Sequence, residues 1–151
     1  ATDVQNKTAW YTLIDNFAPA SPPQEYALVL FDMNNLKKTN DTLGHLVGDQ
    51  MIKAFASGVK RSFSRTGTIY RIGGDEFVAL CQGKAREEVN SALHAFDQAV
   101  KNQPASNHPF SAAYGITWFT PKDRKDFEAA VTKADEEMYQ RKVAMKAARS
   151  D

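Results

Sequence analysis

Two short polar segments hold the residues whose types and spacing could do chemistry. In the first, Asp32 directly follows a run of apolar residues, and Lys37 comes five residues later. A carboxylate at the carboxyl end of a buried strand, followed by lysines, suits a metal–phosphate ligand, because Mg²⁺ binds one or two carboxylates together with phosphate oxygens. The alternative is ordinary helix capping by Asp32 or Asn34, with Lys37 and Lys38 on a solvated face.

The second segment places two adjacent carboxylates, Asp75 and Glu76, after the glycine pair Gly73-Gly74. Taken alone it predicts a hairpin turn, because glycine tolerates the positive φ of such turns. If this turn lies beside the strand that carries Asp32, then Asp32 and Asp75 could hold divalent cations, and Glu76 could act as a base or as a ligand of a second cation. Phosphoryl or nucleotidyl transfer needs such an arrangement, in which cations bridge phosphate oxygens and activate a hydroxyl.

Apolar spacing predicts the elements that would position these segments. Helical spacing covers 4–17, 46–63, 86–100 and 126–146, and strand-like runs cover 25–32, 68–72, 76–81 and 110–119. The polar stretch 34–44 predicts a loop with about one helical turn. The last helix is expected to bury Phe127, Val131, Ala134, Met138 and Tyr139. This order indicates a two- or three-layer α/β sandwich with a partly antiparallel sheet.

Length and composition narrow the class of protein. The chain has 151 residues, 42% of them hydrophobic, which suits a single domain with a sizeable core. Lys and Arg number 19 against 18 Asp and Glu, and this balance argues against a nucleic-acid surface driven by bulk charge. The single cysteine, Cys81, excludes a disulfide-stapled secreted scaffold. The longest apolar run, 26–31, is far shorter than the roughly 20 residues of a membrane span. We therefore expect a cytoplasmic domain without direct membrane contact, whose parent protein could be anchored in the inner membrane.

The two polar segments together resemble the GGDEF family, the diguanylate cyclase domains. The family pattern is D-x-D-x-F-K-x-x-N-D-x-x-G-H-x-x-G-D, and the positions that match it are Asp32, Lys37, Asn40, Asp41, Gly44, His45, Gly48 and Asp49. Residues 73–77 are the name-giving string itself. Residues 4–7 resemble the tail of the family's opening motif, and the last helix resembles the family's at Ala134, Asp135, Met138, Tyr139 and Lys142. The resemblance covers essentially the whole chain.

The resemblance implies a fold and a reaction. The fold is α/β and palm-like (ferredoxin-like, as in nucleotidyl cyclases), with a mixed, partly antiparallel sheet of about five strands flanked by helices, in one domain over 1–151. The reaction condenses two GTP into cyclic di-GMP and releases two pyrophosphates. Because each chain offers one nucleotide site, the resemblance implies a two-fold homodimer in which each subunit presents its GTP to the other. It also implies that the domain is a C-terminal fragment of a longer sensor protein, whose upstream domain brings two copies together.

The resemblance also assigns roles at the catalytic centre. Mg²⁺ or Mn²⁺ would be held by the carboxylates of Asp32 and Asp75 and by the carbonyl of Met33. Glu76 would assist deprotonation of the attacking 3′-hydroxyl or hold a second cation, on the turn formed by Gly73 and Gly74.

The nucleotide-binding residues follow in the same way. Asn40 and Asp49 would bind the guanine edge, where a carboxylate accepts from N1–H and N2–H₂, a donor pair that adenine lacks. The resemblance assigns the triphosphate to the side chains of Lys37, Lys142 and Lys146 and to the backbone amides of Asn35 and Leu36.

This chain departs from the family pattern at a few positions. Asn34 replaces the second Asp of D-x-D, and we expect this loss of charge to weaken Mg²⁺ binding slightly. The family's product-inhibition motif, R-x-x-D, falls on Ser64 and Gly67, so no inhibition by cyclic di-GMP is expected through that site. Two functions stay open: an active cyclase, which the intact string 73–77 and Asp32 favour, and a catalytically silent GTP-binding regulatory module.

Overall fold

One antiparallel sheet organises the chain. The computed structural model describes residues 4–104 and 108–150, and its elements are α1 (Lys7–Asp15), β1 (Tyr26–Met33), α2 (Leu36–Leu43), α3 (His45–Phe63), β2 (Thr68–Arg71), β3 (Glu76–Gln82), α4 (Arg86–Lys101), β4 (Ala112–Phe119) and α5 (Arg124–Ser150). The strand order is β2-β3-β1-β4, and each neighbouring pair is antiparallel. β1 therefore lies inside the sheet, between β3 and β4.

β1 has no polar alternation because both faces of the sheet are covered. Val29 and Phe31 pack into a cluster with residues of α3 and α4, whereas Leu28 and Leu30 pack into a second cluster with residues of α1 and α5. Every residue of β1 except Asp32 is buried. Burial on two faces is what a continuous apolar strand predicts, and it leaves the half-buried Asp32 as the polar residue at the strand's end.

Aromatic side chains fill both layers of the core. On the α3 and α4 side, the rings of Phe55 and Phe77 meet edge to face with centroids 4.9 Å apart. On the other side, Phe127 of α5 contacts Phe17 with centroids 4.9 Å apart. Such contacts stabilise a packed core beyond the burial of their area. With helices on both faces of the sheet, the palm-like α/β architecture expected from the sequence is confirmed.

Three expectations about the fold were wrong in detail. The stretch 34–44 contains the helix α2; this helix has no buried residue, so no apolar periodicity could indicate it. Within residues 4–104 and 108–150 the sheet has four strands, all antiparallel, rather than about five in a mixed sheet; the parallel pairing found there is an isolated bridge between Gln5 and Tyr70. Tyr139 is 66% exposed, because it lies beside rather than on the helix face that buries Ala134 and Met138.

The last helix lies very close to the sheet at a glycine. A Cβ atom at Gly115 of β4 would overlap the carbonyl oxygen of Ala134 and lie 2.8 Å from the backbone nitrogen of Met138. Gly115 thus sets how closely α5, which carries Lys142 and Lys146, approaches the sheet.

Among the described helices, none combines the length and the apolar character that crossing a bilayer requires.

Candidate active site

The two polar segments lie side by side at one edge of the sheet. Asp32 of β1 is paired in register with Glu76 of β3. Just beyond this pair, the backbone N–H of Met33 donates to the carbonyl of Asp75 at 3.2 Å. Because the strands are antiparallel, the carboxyl end of β1 meets the amino end of β3, and Asp32 becomes a neighbour of the consecutive carboxylates Asp75 and Glu76, which are distant from it in sequence.

A lysine from the last helix enters this edge. The ammonium of Lys142 donates to Oδ2 of Asp32 at 2.7 Å and to the carbonyl oxygen of Met33 at 3.4 Å. The two charged side chains are 30% and 16% exposed, respectively. The other carboxylate oxygen of Asp32, Oδ1, is buried with no hydrogen-bond partner among the described residues. The site therefore gathers hard oxygen donors and leaves one of them unsatisfied.

The carboxylates in this edge disfavour one another's charge. Burial raises the pKa of Asp32 to about 6; the hydrogen bond from Lys142 acts in the opposite direction, and the neighbouring Asp75 raises the pKa further. Burial, followed by the charges of Asp75 and Asp135, also raises the pKa of Glu76, against the effect of Lys142. One lysine offsets this concentration of negative charge only in part.

The raised pKa of Asp32 predicts how stability depends on pH in the metal-free protein. The folded state holds the Asp32 proton more tightly than the unfolded chain does, so this contribution is fully present below about pH 4 and is lost as pH rises through about 6. Denaturant unfolding in a chelator, at pH steps between 4 and 7, should show this decline. In Asp32→Asn the decline should be smaller; an equal slope in both proteins would contradict the assignment.

The hairpin that carries Asp75 and Glu76 is held by Arg71. Its Nε donates to the carbonyl of Gly73 at 3.2 Å, and its Nη2 donates to the carbonyl of Gly74 at 2.5 Å. Sequence reasoning missed this role, although a cation two residues before the glycine pair was a signal for it.

The glycine requirement of the hairpin has a different cause from the expected one. Gly73 and Gly74 are not among the described residues with positive φ, so that explanation of the turn was wrong. A Cβ atom at Gly73 would lie 2.9 Å from Oε1 of Glu76, whereas a Cβ atom at Gly74 would meet open space. Gly73 therefore leaves room for the Glu76 side chain, whose carboxyl group a side chain at position 73 would displace.

The residues expected to bind guanine lie on α2 and α3, which follow β1 directly. Oδ1 of Asn40 is buried without a hydrogen-bond partner among the described residues. It rests against the backbone of α3 at Gly48, where a Cβ atom would overlap it. Asp49, the next residue, is exposed. The unsatisfied amide oxygen and the exposed carboxylate lie on adjoining helices.

The residues expected to bind phosphates lie on α2 and α5. Asn35 has a left-handed backbone (φ 62°) and precedes α2, whose first turn has no side-chain cap. The amides at this helix start, with the exposed Lys37, form a suitable anion site. Lys142 and Lys146 are four residues apart on α5 and therefore share a helix face, although Lys142 contacts Asp32 here.

Asn34 makes structural contacts rather than facing open space. It is 6% exposed; its Nδ2 donates to Oγ of Ser111 at 2.9 Å and contacts the sulfur of Met145 at 3.6 Å. The side chain thus links the end of β1 to α5. An aspartate at this position would lack the N–H groups that make these contacts.

The two positions of the absent R-x-x-D motif lie near the start of β2. Ser64 caps α3, and a Cβ atom at Gly67 would lie 2.7 Å from the Leu80 carbonyl oxygen. The backbone here leaves no space for the motif's acid, which agrees with the expectation that product does not bind there; that expectation stays a prediction.

The donor set fits a magnesium or manganese ion that is bound together with phosphate. No group of three or more His, Cys, Asp or Glu side chains forms a metal cage within the part of the chain that the structure describes. Mg²⁺ does not need one, since it takes one or two carboxylates and keeps water or phosphate oxygens as its other ligands. The unpartnered Oδ1 of Asp32, with Asp75 and the Met33 carbonyl, supplies oxygen donors of the required type.

Comparisons with known proteins agree with this fold and motif pattern. The family model described as diguanylate cyclase, GGDEF domain, matches residues 1–148. The diguanylate cyclase DgcS of Shewanella oneidensis is 32% identical over 120 residues, covering 78% of this chain and 39% of that protein. The cyclic di-GMP phosphodiesterase PdeR of Escherichia coli is 29% identical over 147 residues, covering 91% of this chain and 21% of that protein. The chain thus spans well under half the length of these relatives.

Solved structures show the same architecture. The GGDEF domain of DgcB from Caulobacter crescentus, crystallised in complex with c-di-GMP, matches with a TM-score of 0.79 at 24% identity. The match covers 95% of this chain and 91% of that one. From the family match over nearly its whole length, the chain belongs to the GGDEF family of diguanylate cyclase domains.

Proposed function

We propose that this domain condenses two GTP into cyclic di-GMP and releases two pyrophosphates. The observation that carries the proposal is the meeting of Asp32, Asp75 and Glu76 at one sheet edge, with Lys142 reaching into it. Phosphodiester formation needs a place where the negative charge of the triphosphate and of the attacking oxygen is neutralised.

Each carboxylate has a distinct proposed task. Asp32 and Asp75, with the Met33 carbonyl, hold the divalent cation, which when bound neutralises phosphate charge and lowers the pKa of the attacking hydroxyl. Glu76 accepts the proton of the 3′-hydroxyl or supports a second cation. Its raised pKa suits the first task, because a base works best when its pKa approaches the working pH.

The nucleotide extends from this edge across α2. Its phosphates meet the first-turn amides of α2 and the lysines on α2 and α5, and its guanine meets Asn40 and Asp49. Asp49 accepts from N1–H and N2–H₂ of guanine, and adenine would leave this carboxylate unpaired. Such a mismatch costs more than a lost contact, so we propose specificity for GTP over ATP.

Catalysis requires two copies of the domain. One chain provides one nucleotide site, and the product contains two 3′→5′ bonds, so we propose a two-fold homodimer that brings two bound GTP molecules together. In the whole protein, an upstream sensor domain would control this encounter. The isolated domain is then expected to turn over slowly at low protein concentration.

A silent GTP-binding module is the alternative. The similarity to PdeR, which is named for a phosphodiesterase rather than for a cyclase, is the reason to consider the silent module. The intact carboxylate set at 32, 75 and 76 favours the enzyme, because a module that only binds GTP has no need of a base beside the metal ligands.

Product analysis separates these functions. The domain, at high concentration or fused to a dimerising helix, is incubated with GTP and Mg²⁺, and the nucleotides are resolved by chromatography. We expect cyclic di-GMP, none of it from Asp75→Ala or Glu76→Ala. GTP binding without product under the same conditions would favour the silent module, and substantial activity in either variant would overturn the residue assignments.

The packing of Asn40 against Gly48 predicts a change in guanine selectivity. In Gly48→Ala, the new methyl group must displace the Asn40 amide, so the affinity for GTP should fall by about tenfold or more, the equivalent of one hydrogen bond to a charged or buried partner. Affinity for ATP, which does not pair with these residues, should change little. Titration with the two nucleotides measures the ratio.

Gly58→Ala on the same helix is the matched control. Its methyl group would lie 3.4 Å from the ring of Phe110, an ordinary contact, and the ratio of GTP to ATP affinity should stay at the wild-type value. An unchanged ratio in Gly48→Ala as well would show that Asn40 does not bind the base.

A further inference from the structure

The ammonium of Lys142 lies where the divalent cation is expected. It is 2.7 Å from Oδ2 of Asp32 and 3.4 Å from the carbonyl oxygen of Met33, and the Asp32 carboxylate and the Met33 carbonyl are two of the groups assigned above to the cation. A dication bound to both groups would lie next to this ammonium and would be repelled by it. The lysine assigned to the phosphates is therefore also the counter-ion of a residue assigned to the metal.

We propose that Lys142 closes the cation position in the nucleotide-free domain, so that the cation binds only together with a nucleoside triphosphate, whose phosphates draw the lysine away from Asp32. This inference rests on the proposed function, since it takes the triphosphate site as given. It adds an order of events: the lysine moves from a carboxylate to a phosphate when substrate arrives.

Charge balance explains why the cation alone binds poorly. To bind without nucleotide, it must break the contact between Lys142 and Asp32, a pair with side chains only 30% and 16% exposed. It would then lie next to the displaced ammonium, and like charges at short range in a partly buried site repel. A triphosphate removes both costs, because its oxygens bind the lysine and the cation together. Cation and nucleotide should therefore increase each other's affinity.

The movement requires only the side chain of Lys142. The backbone of α5 is held by the close approach of Ala134 to Gly115 and by the contact of Met145 with Asn34. The four-carbon lysine stem carries the ammonium between neighbouring acceptors without moving the helix. The uncapped start of α2 follows β1 after two residues, so the expected phosphate position is close to Asp32.

A nucleotide without the terminal phosphates should not produce this effect. GMP can occupy the guanine site of Asn40 and Asp49, but it lacks the β- and γ-phosphates that in this proposal bind Lys142 and the cation together. We therefore expect a non-hydrolysable GTP analogue, but not GMP, to promote cation binding.

The test is titration of the domain with Mn²⁺, with free Mn²⁺ measured by electron paramagnetic resonance, and it needs no turnover. Without nucleotide, Lys142→Met should bind Mn²⁺ at least about tenfold more tightly than wild type, as expected when a competing internal cation is removed. Lys133→Met, which removes the same charge from an exposed position on the same helix, should match wild type. With the GTP analogue present, wild type should bind Mn²⁺ tightly, and Lys142→Met should bind the analogue more weakly.

Unchanged or weaker nucleotide-free Mn²⁺ binding in Lys142→Met would overturn the inference, as would equal Mn²⁺ affinity of wild type with and without the analogue. If Lys142→Met does not fold, Lys142→Gln is titrated with the same two expected outcomes. The Mn²⁺ titration of wild type is also repeated with GMP, because promotion of Mn²⁺ binding by GMP would contradict the inference. The proposed function would fail differently: Mn²⁺ binding with the analogue would then be indifferent to Asp32→Asn.

Discussion

Replacing Asp32 with asparagine is expected to abolish cyclic di-GMP synthesis and, at the same time, to stabilise the metal-free domain. Activity should fall by roughly 1,000-fold or more, because an amide cannot neutralise the cation that the transferring phosphate needs. Burial raises the pKa of Asp32 to about 6, so the folded protein disfavours the ionised carboxyl that is present at neutral pH. Stability should rise because the neutral amide removes this cost. The gain should be on the order of 1 to 2 kcal/mol after allowance for solvent screening.

Two measurements check this prediction on the same protein. Product formation is followed chromatographically with Mg²⁺, and denaturant unfolding is followed at neutral pH in a chelator. Glu136→Gln, which neutralises an exposed carboxylate of α5, should leave both values near wild type. Retained turnover in Asp32→Asn, or a less stable metal-free protein, would contradict the view that this carboxylate is kept for the cation at a cost in stability.

Replacing Gly115 with alanine is expected to give the largest loss of stability. The methyl group would overlap the Ala134 carbonyl oxygen and lie 2.8 Å from the Met138 backbone nitrogen. Both neighbours are helix backbone, so no side-chain rotation relieves the contact and α5 must move as a whole. We expect a loss of about 3 kcal/mol or more, at the upper end for overpacking. Because Lys142 and Lys146 lie on the same helix, affinity for the triphosphate should fall as well.

Gly58→Ala is again the useful comparison. Its methyl group makes only an ordinary contact with Phe110 and replaces a glycine inside a helix, so its stability should be unchanged or higher by up to about 1 kcal/mol. Chemical unfolding of the two variants beside wild type gives the difference. A Gly115→Ala protein as stable as the Gly58→Ala protein would mean that α5 does not lie against β4 as described.

The sequence predicts most of the fold because its apolar patterns are strong. β1 is a continuous apolar run and proves to be covered on both faces, and the amphipathic α3 and α4 agree with their predicted ranges closely. α2 could not be predicted in this way, because a helix with no buried residue leaves no periodic apolar signal. The all-antiparallel order of the sheet also needs long-range pairing, which spacing alone does not specify.

The candidate site is predictable in its members but not in its contacts. Asp32 and Glu76 stand in conspicuous motifs, yet their adjacency depends on the register of β1 against β3. The hydrogen bonds from Arg71 to the turn, and the contact between Lys142 and Asp32, exist only in the folded domain, so the sequence alone does not show them. Against the family pattern, Asn34 is the loss of a charged residue. In the folded domain its side chain contacts α5 and so links β1 to that helix.

The most direct test of the central claim, that Asp32 and Asp75 share a divalent cation with a bound triphosphate, is calorimetric titration with a non-hydrolysable GTP analogue. The titration is made with Mg²⁺ and again in a chelator, for wild type and for Asp75→Asn. We expect binding that weakens at least about tenfold without Mg²⁺ and is weakened similarly by Asp75→Asn. Binding of equal strength in the chelator, or binding indifferent to Asp75→Asn, would contradict it.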